Sequence, residues 1–122
     1  AEGGVLACQA TSPFRSRAAF WCIARTLDAT PLPGPGDATL TVAPYHVLVP
    51  TFGSWGFILA GARLPDPGDL ELPPDNRYLT QDLVPTLFAF PADMAPVATP
   101  ISRLDNHHAV QLYRRGYHKY LQ

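Results

Sequence analysis

Two short apolar stretches in the middle of the chain give the strongest structural signal. Residues 45–49 (YHVLV) and residues 55–60 (WGFILA) are both continuous, largely apolar runs. Runs of this kind favour strands that are buried on both faces, and the first fits a central strand of a sheet. The linker between them contains a proline, which has no backbone N–H, and a glycine, which accepts a positive φ. The pattern therefore predicts a wide antiparallel hairpin whose tip carries Phe52 and Trp55.

The first part of the chain has the pattern of a strand followed by a helix. Residues 5–10 form an apolar run that predicts a buried strand. Ser12 and Pro13 then supply an N-cap and a proline at the first helical position. The apolar residues of this helix recur on one face, which should pack on the sheet: Phe20, Ile23, Ala24 and Leu27. Since a crossover helix joins parallel strands, residues 5–10 and 42–49 should run in the same direction.

The second half of the chain alternates between loops and short helices. Residues 63–76 form a proline-rich, acidic loop that could steer a cationic substrate, although a solvated loop is the plainer interpretation. Thr80 can cap a helix, but Pro85 inside it predicts that the helix is short or kinked. Asp105 or Asn106 should cap the last helix. The residues expected to share one face of that helix are Ala109, Tyr113, Tyr117 and Tyr120.

Composition narrows the classes of protein. The chain has 122 residues, 47% hydrophobic residues and a net charge of −1, which indicates one globular domain with no basic surface for nucleic acid. It has neither the ~18-residue apolar run of a membrane-spanning helix nor the basic and apolar order of a signal peptide. We therefore expect a soluble, cytoplasmic chain. Cys8 and Cys22 are expected to be buried free thiols, with a disulfide as the alternative.

Residues suited to metal binding or nucleophilic catalysis do not recur at a recognised spacing. His107 and His108 are neighbours and point to different faces of a helix, while His46 and His118 lie far apart in sequence. No HxxxH zinc pattern results. The serines have no histidine and acid partners that can be recognised from sequence. No GxGxxG motif follows a predicted strand, so we expect neither a metal nor a cofactor bound by this chain alone.

Three stretches, taken in order, carry a family resemblance. They are residues 3–13 (GGVLACQATSP), residues 50–57 (PTFGSWGF), and residues 102–106 (SRLDN) together with 113–116 (YRRG). In combination they resemble the polyamine aminopropyltransferases, the spermidine and spermine synthase family, especially its bacterial membrane-linked branch. The resemblance implies an α/β fold, the carboxy-terminal half of a class I methyltransferase-like (Rossmann-like) fold. Such a fold has a mixed sheet that ends in an antiparallel hairpin with flanking helices.

The resemblance also implies an activity. These enzymes move an aminopropyl group from decarboxylated S-adenosylmethionine, their co-substrate, to a diamine such as putrescine. In the family, the glycine-rich nucleotide loop and the catalytic aspartate precede the strand that matches residues 5–10. Residues 1–122 are therefore expected to form a single domain, the carboxy-terminal part of a catalytic domain, and to be inactive alone. An exposed sheet edge at residues 5–10 is expected to make the chain a homo-oligomer.

Three residues are expected to bind substrate. Gln9 stands at the carboxyl end of a strand, where open α/β sheets place ligands, and the family has a glutamine there. Phe52 occupies the place of a tyrosine that hydrogen-bonds the diamine in spermidine synthases, so that polar contact is lost. Trp55 can offer a cation–π face to an ammonium group. Structural roles for Gln9 and Trp55, in the loop backbone and in hairpin packing, are the alternatives.

Other functions share the same half-fold. One is a non-catalytic binding or assembly module, and another is an S-adenosylmethionine-dependent methyltransferase-type enzyme. The features that distinguish them, a glycine-rich loop and a strand-end aspartate pair, are expected upstream of residue 1.

Overall fold

A computed structural model of the chain describes residues 3–119. Its helices and strands are β1 (Val5–Gln9), α1 (Arg17–Asp28), β2 (Thr41–Val49), β3 (Gly53–Gly61), α2 (Leu83–Leu87) and α3 (His108–His118), with a short 3₁₀ turn at Pro67–Asp69. Within the described residues, no helix is long and apolar enough to cross a membrane.

The strands form a three-stranded sheet in the order β1-β3-β2. Strand β3 pairs antiparallel with both neighbours, so β1 and β2 run in the same direction, as predicted for strands joined by a crossover helix. The predicted hairpin β2–β3 is also confirmed. The predicted mixed sheet is not seen among residues 3–119, because β3 inserts between β1 and β2 and leaves only antiparallel pairs.

The prediction that every strand is buried on both faces was wrong. In the sheet formed by residues 3–119, β1 and β2 are the edge strands and β3 is central. In β1, the side chains of Val5 and Leu6 are 50% and 52% exposed. In β2, Leu48 is 68% exposed, and Pro44 lies inside the strand, a position that an edge strand tolerates. The continuous apolar runs therefore correctly predicted strands, but not how far those strands are buried in the described residues.

The hairpin turn is tighter than predicted. The Phe52 N–H donates to the carbonyl of Val49 at 3.1 Å, and Val49 pairs with Gly53 across the ladder. Gly53 has the expected positive φ, 79°. Phe52 lies in the turn, but Trp55 does not lie at the tip: it is the third residue of β3, because strand pairing extends further toward the turn than the apolar pattern suggested.

Helix α1 begins later than the Ser12–Pro13 signal predicted. The Ser12 hydroxyl oxygen accepts from the Arg15 N–H at 3.1 Å, and the Ser12 carbonyl accepts from the Ser16 N–H at 2.8 Å. Ser12 therefore caps a separate turn that leads into α1, whose own first residue is Arg17. The predicted apolar face is confirmed, since all four of its residues pack in or against the core.

The core forms between α1 and one face of the sheet. Fully buried Phe20 and Ile58 lie at its centre, with Ala10 and Ala24 beside them. The Phe20 ring lies over Gly56 in β3: a Cβ atom built on Gly56 would be 2.4 Å from Phe20 Cε2 and 2.8 Å from the Thr11 carbonyl oxygen. Only glycine leaves room for both neighbours, so this residue sets how closely α1 approaches the sheet.

A proline-rich strap, residues 92–102, runs along α1 without regular secondary structure. Polar side chains of α1 hold it through its backbone. The bonds are Arg17 Nε to Ala95 O (2.7 Å), Trp21 Nε1 to Met94 O (2.9 Å), Cys22 Sγ to Pro100 O (3.1 Å), and Ser102 N to Thr26 Oγ1 (2.9 Å). Because buried backbone groups need partners, these side chains replace the ladder that a strand would have provided.

The cysteines are both free, as expected. Cys22 is buried beneath the strap, and burial raises the pKa of its thiol. Cys8 is only half-buried, on edge strand β1.

The two later helices follow their sequence signals in part. α2 is short, as Pro85 predicted, with the Thr80 hydroxyl accepting from the Leu83 N–H at 3.1 Å. Pro85 is tolerated because the first N–H groups of a helix have no intrahelical partner. In α3 the N-cap position is His107, not Asp105 or Asn106, although the Asn106 side chain does accept from the His108 N–H at 3.1 Å.

Gly116 has a packing reason that the sequence did not reveal. A Cβ atom there would lie 3.1 Å from the Arg15 carbonyl oxygen and from Ser16 Cα. The glycine therefore lets α3 approach the start of α1. The rings of Tyr113 and Tyr117 contact each other with centroids 4.7 Å apart and planes tilted by 45°, as expected for residues on one face. Tyr120, predicted on the same face, lies outside the described residues.

Gly56→Ala should destabilise the fold by about 1–3 kcal/mol, since the new methyl group must displace a core ring or strand backbone. Chemical denaturation measures the loss. Gly68→Ala is the matched control, because a Cβ there meets only the Asp66 carboxylate at 3.5 Å. Its effect should stay within about 0.5 kcal/mol. Equal stabilities for the two variants would contradict this account of the core.

We also expect the 122-residue chain to self-associate through β1. Within the described residues β1 pairs on one side only, and its sequence carries neither the charge nor the proline that commonly protects an edge. Leu6→Lys should weaken the association, whereas Leu104→Lys, at a 93% exposed position away from the sheet, should not. Sedimentation velocity measures the difference. A wild-type monomer at high concentration would refute the expectation.

Candidate functional site

The residues predicted to bind substrate line one cavity. Gln9, Phe52 and Trp55 surround an open space of about 290 Å³, together with Val49 and Phe57. The sequence singled out the first three separately, from three different arguments. The structure brings them together at the end of the sheet where β1 finishes and the β2–β3 hairpin turns.

Strand register explains why these residues meet. Gln9 and Phe57 are paired across β1 and β3, so their side chains lie on the same face of the sheet. Trp55 is two residues from Phe57 in β3 and shares that face. The Phe52 ring meets the Trp55 ring edge to face, with centroids 5.9 Å apart and an interplanar angle of 62°. The turn thus folds Phe52 back against the strand.

The lining residues that sequence reasoning missed are Val49 and Phe57. Each lies two positions from another residue of the same strand face, so the period-two alternation of the hairpin contained a signal for them. Assigning these two residues to the cavity also requires the register of β1 against β3, which the sequence alone did not provide. Both residues make the cavity more apolar than the three predicted residues suggested.

An aromatic row extends the cavity across the sheet. Phe57 is paired with Tyr45 of β2, and their rings stack with centroids 5.3 Å apart. The Phe88 ring, which follows α2, covers Tyr45 at 5.4 Å. Burial raises the pKa of the Tyr45 hydroxyl above its usual value. Tyr45 therefore remains protonated through the physiological pH range and acts here as a neutral aromatic group.

The Trp55 indole has one unusual feature. Its Nε1 N–H is enclosed, and no hydrogen-bond acceptor reaches it among the residues that the structure describes. Buried indole N–H groups usually have a partner, so this position costs stability in the present arrangement. A role in hairpin packing alone gives no reason to place an unpaired donor here.

Backbone strain surrounds the cavity. Thr11, two residues after Gln9, and Thr51, beside Phe52, have φ angles of 58° and 82°. Positive φ is uncommon for any residue with a side chain and is a marked outlier for a β-branched one. At Thr11 the strand forms a bulge: Gly56 accepts from the Ala10 N–H and donates to the Thr11 carbonyl. Bulges and strained residues of this kind occur preferentially beside functional sites.

A serine and a histidine lie close together on the opposite face of the hairpin. His46 Nδ1 is 3.4 Å from the Ser54 hydroxyl, and His46 Nε2 donates to the Ala89 carbonyl at 2.6 Å. Because a carbonyl only accepts, the Nε2 atom carries the proton. The third partner is a backbone carbonyl rather than a carboxylate, so this group is not a hydrolase triad. His46 instead joins the hairpin to residues 88–90.

Among residues 3–119, the cavity lining carries no charge. The five lining residues described contain one amide and four apolar side chains, with no acid, base or nucleophile. The acidic loop is bonded to the segment just before α2, where the Gln81 side chain donates to the Leu70 carbonyl at 3.3 Å. Across residues 3–119, no group of three or more histidine, cysteine, aspartate or glutamate side chains is placed to hold a metal. These five side chains suit contact with a ligand rather than proton transfer.

Comparison with known proteins gives the relationship. No family model matches the chain. It is 40% identical over 120 residues to the polyamine aminopropyltransferase of Leptospira interrogans, an alignment that covers 98% of this chain and 22% of that enzyme. It is 38% identical over 119 residues to that of Mycobacterium tuberculosis, covering 96% and 21%. With that of Oceanobacillus iheyensis the identity is 33% over 121 residues, covering 96% and 22%.

The chain thus spans about a fifth of the length of the relatives that it matches. The identity extends along nearly the whole chain and is not confined to the motifs in residues 3–13 and 50–57. The resemblance found in the sequence is therefore confirmed: over nearly its whole length, the chain is similar to one part of the polyamine aminopropyltransferases.

Proposed function

We propose that this chain forms the carboxy-terminal part of the catalytic domain of an aminopropyltransferase, and that its cavity binds the diamine. The observation that carries the proposal is the meeting of Gln9, Phe52 and Trp55 in one cavity. The family resemblance selects Gln9 and Phe52 from the sequence alone, and Trp55 was selected for the cation–π face that its indole offers. The relatives' name supports the reaction class, and the cavity supports a place for the amine.

The reaction requires an amine and a donor of the aminopropyl group, which we propose is decarboxylated S-adenosylmethionine. The neutral amine nitrogen attacks the propyl carbon bound to the sulfonium. As the new C–N bond forms, the C–S bond breaks and its electron pair returns to sulfur, leaving a thioether. The amine then loses a proton to a base. None of the described residues that line the cavity can take that proton, so we assign the base to a carboxylate outside this group.

The cavity residues would bind the part of the diamine that does not react. The aromatic faces of Phe52 and Trp55 suit both the methylene chain and a terminal ammonium group, which gains about 0.5–2 kcal/mol over a ring. The exposed Gln9 amide can accept a hydrogen bond from that ammonium. Two aromatic walls and one amide would thus hold the diamine in line for attack.

The topology supports a class I methyltransferase-like fold for the complete enzyme. Two strands of common direction joined through a helix, followed by a reversed strand, are compatible with the end of such a sheet. A cytoplasmic location remains a prediction. The neutral cavity also suits a non-catalytic binding module, which the first experiment distinguishes from an enzyme.

Aminopropyl transfer should appear only in the complete polypeptide that carries this segment. With labelled decarboxylated S-adenosylmethionine and putrescine, that polypeptide should form spermidine, and the 122-residue chain alone should form none. Turnover by the chain alone would refute the proposed division of the site. A complete polypeptide that binds putrescine without turnover would favour the binding module, and methyl transfer from S-adenosylmethionine would favour a methyltransferase.

Trp55→Ala in the complete polypeptide should raise the KM for putrescine about five- to thirtyfold, as expected for the loss of about 1–2 kcal/mol of cation–π binding. Phe52→Tyr should lower that KM, because the ring is 57% exposed and has room for a hydroxyl group that can bond the diamine. Steady-state kinetics measure both.

Leu48→Ala is the matched control for these variants. It lies on the same hairpin, on the opposite face, and its side chain is largely exposed, so KM should not change. If Trp55→Ala lowers the melting temperature and leaves the putrescine KM unchanged, Trp55 only packs the hairpin.

A further inference from the structure

Thr51 occupies a turn position that threonine rarely takes. It follows Pro50 in the turn closed by the bond from the Phe52 N–H to the Val49 carbonyl. Proline followed by a residue with positive φ is the pattern of a type II turn, whose third position normally holds glycine or asparagine. Thr51 has φ of 82° there, and its Cβ branch makes that conformation unfavourable.

The strained residue directly precedes the ring that forms one wall of the cavity. Phe52 is 57% exposed, so packing alone does not fix its position. Its ring nevertheless meets Trp55 at a centroid distance of 5.9 Å, and this contact is what gives the cavity its second aromatic wall. The backbone of Thr51 leads directly into Phe52, so its conformation sets the direction from which this exposed ring approaches Trp55.

The two residue types restrict the turn to different degrees. Glycine populates both positive and negative φ over wide regions, so a glycine at this position would let Phe52 swing away from Trp55. Threonine with positive φ is confined to a small region, and its χ1 is stiff. Compared with glycine, threonine at position 51 therefore makes the turn less stable but restricts Phe52 to fewer positions. Strain that is kept beside a binding cavity is typical of pre-organised sites.

We propose that Thr51 is a positioning residue: its restricted, left-handed backbone holds Phe52 against Trp55, so that the cavity is formed before an amine ligand arrives. This inference rests on the proposed function, since the ligand is the diamine assigned to that cavity. Thr51 acts through Phe52 and does not itself line the cavity.

Thr51→Gly should separate stability from binding. In the 122-residue chain it should raise the melting temperature by about 2–6 °C, because the strain is relieved. In the complete polypeptide it should raise the KM for putrescine about three- to tenfold while kcat changes less than about twofold. A purely structural threonine would give the first effect without the second.

Thr51→Asn is the matched control, since asparagine tolerates the left-handed conformation but remains more restricted than glycine. It should keep the putrescine KM within about twofold of wild type. Trp55 reports the ring position directly: in protein labelled with 5-fluorotryptophan, its ¹⁹F resonance, assigned with Trp55→Phe, should move toward the free amino acid in Thr51→Gly and remain in place in Thr51→Asn.

The outcomes distinguish the two proposals. An active wild-type polypeptide whose putrescine KM is unchanged by Thr51→Gly overturns the role of Thr51 and leaves the proposed function intact. An inactive wild type overturns the proposed function. In that case the fluorine resonance still decides whether Thr51 holds Phe52 on Trp55, because an unshifted resonance in Thr51→Gly shows that it does not.

Discussion

Packing of the Phe20 ring directly against Gly56 fixes how α1 and the sheet fit together. A ring with no exposed surface lies where a side chain at position 56 would otherwise be, and the same glycine bonds to both Ala10 and Thr11 of the first strand and its bulge. One residue therefore sets the spacing between helix and sheet and also the bulge at the end of β1. Close packing of this kind tolerates little change in volume.

The candidate site lies on the other face of the same strand. Gly56 faces the helix, and its neighbours Trp55 and Phe57 face the cavity, because side chains alternate along a strand. The core thus holds β3 rigidly from one side and presents two aromatic residues on the other. The turn beside them contains Thr51, whose positive φ is energetically unfavourable. A well-packed strand therefore adjoins a strained turn.

The edge of the sheet formed by β2 is covered by residues that follow α2. Residues 88–90 wrap the edge of β2, with Phe88 against Tyr45 on one face and Phe90 against His46 on the other. Further along, the strap at residues 92–102 is bonded to α1 through side chains. These segments lack regular structure, but polar groups of the helix satisfy the backbone of the strap. β1 has no such cover among the described residues, which makes it the open edge of the sheet.

Local patterning was enough to predict several helices and strands and to single out candidate residues. Periodicity located α1 and the hairpin, Pro85 predicted a short helix, and the hairpin sequence at residues 50–57 pointed to Phe52 and Trp55. Long-range contacts were needed to show that β3 is central, that Trp55 lies in a strand, and that Val49 and Phe57 also line the cavity. Strand order and register arise from pairings between residues far apart in the chain. A local pattern indicates whether a side chain tends to be buried, but it does not identify the residues that cover it.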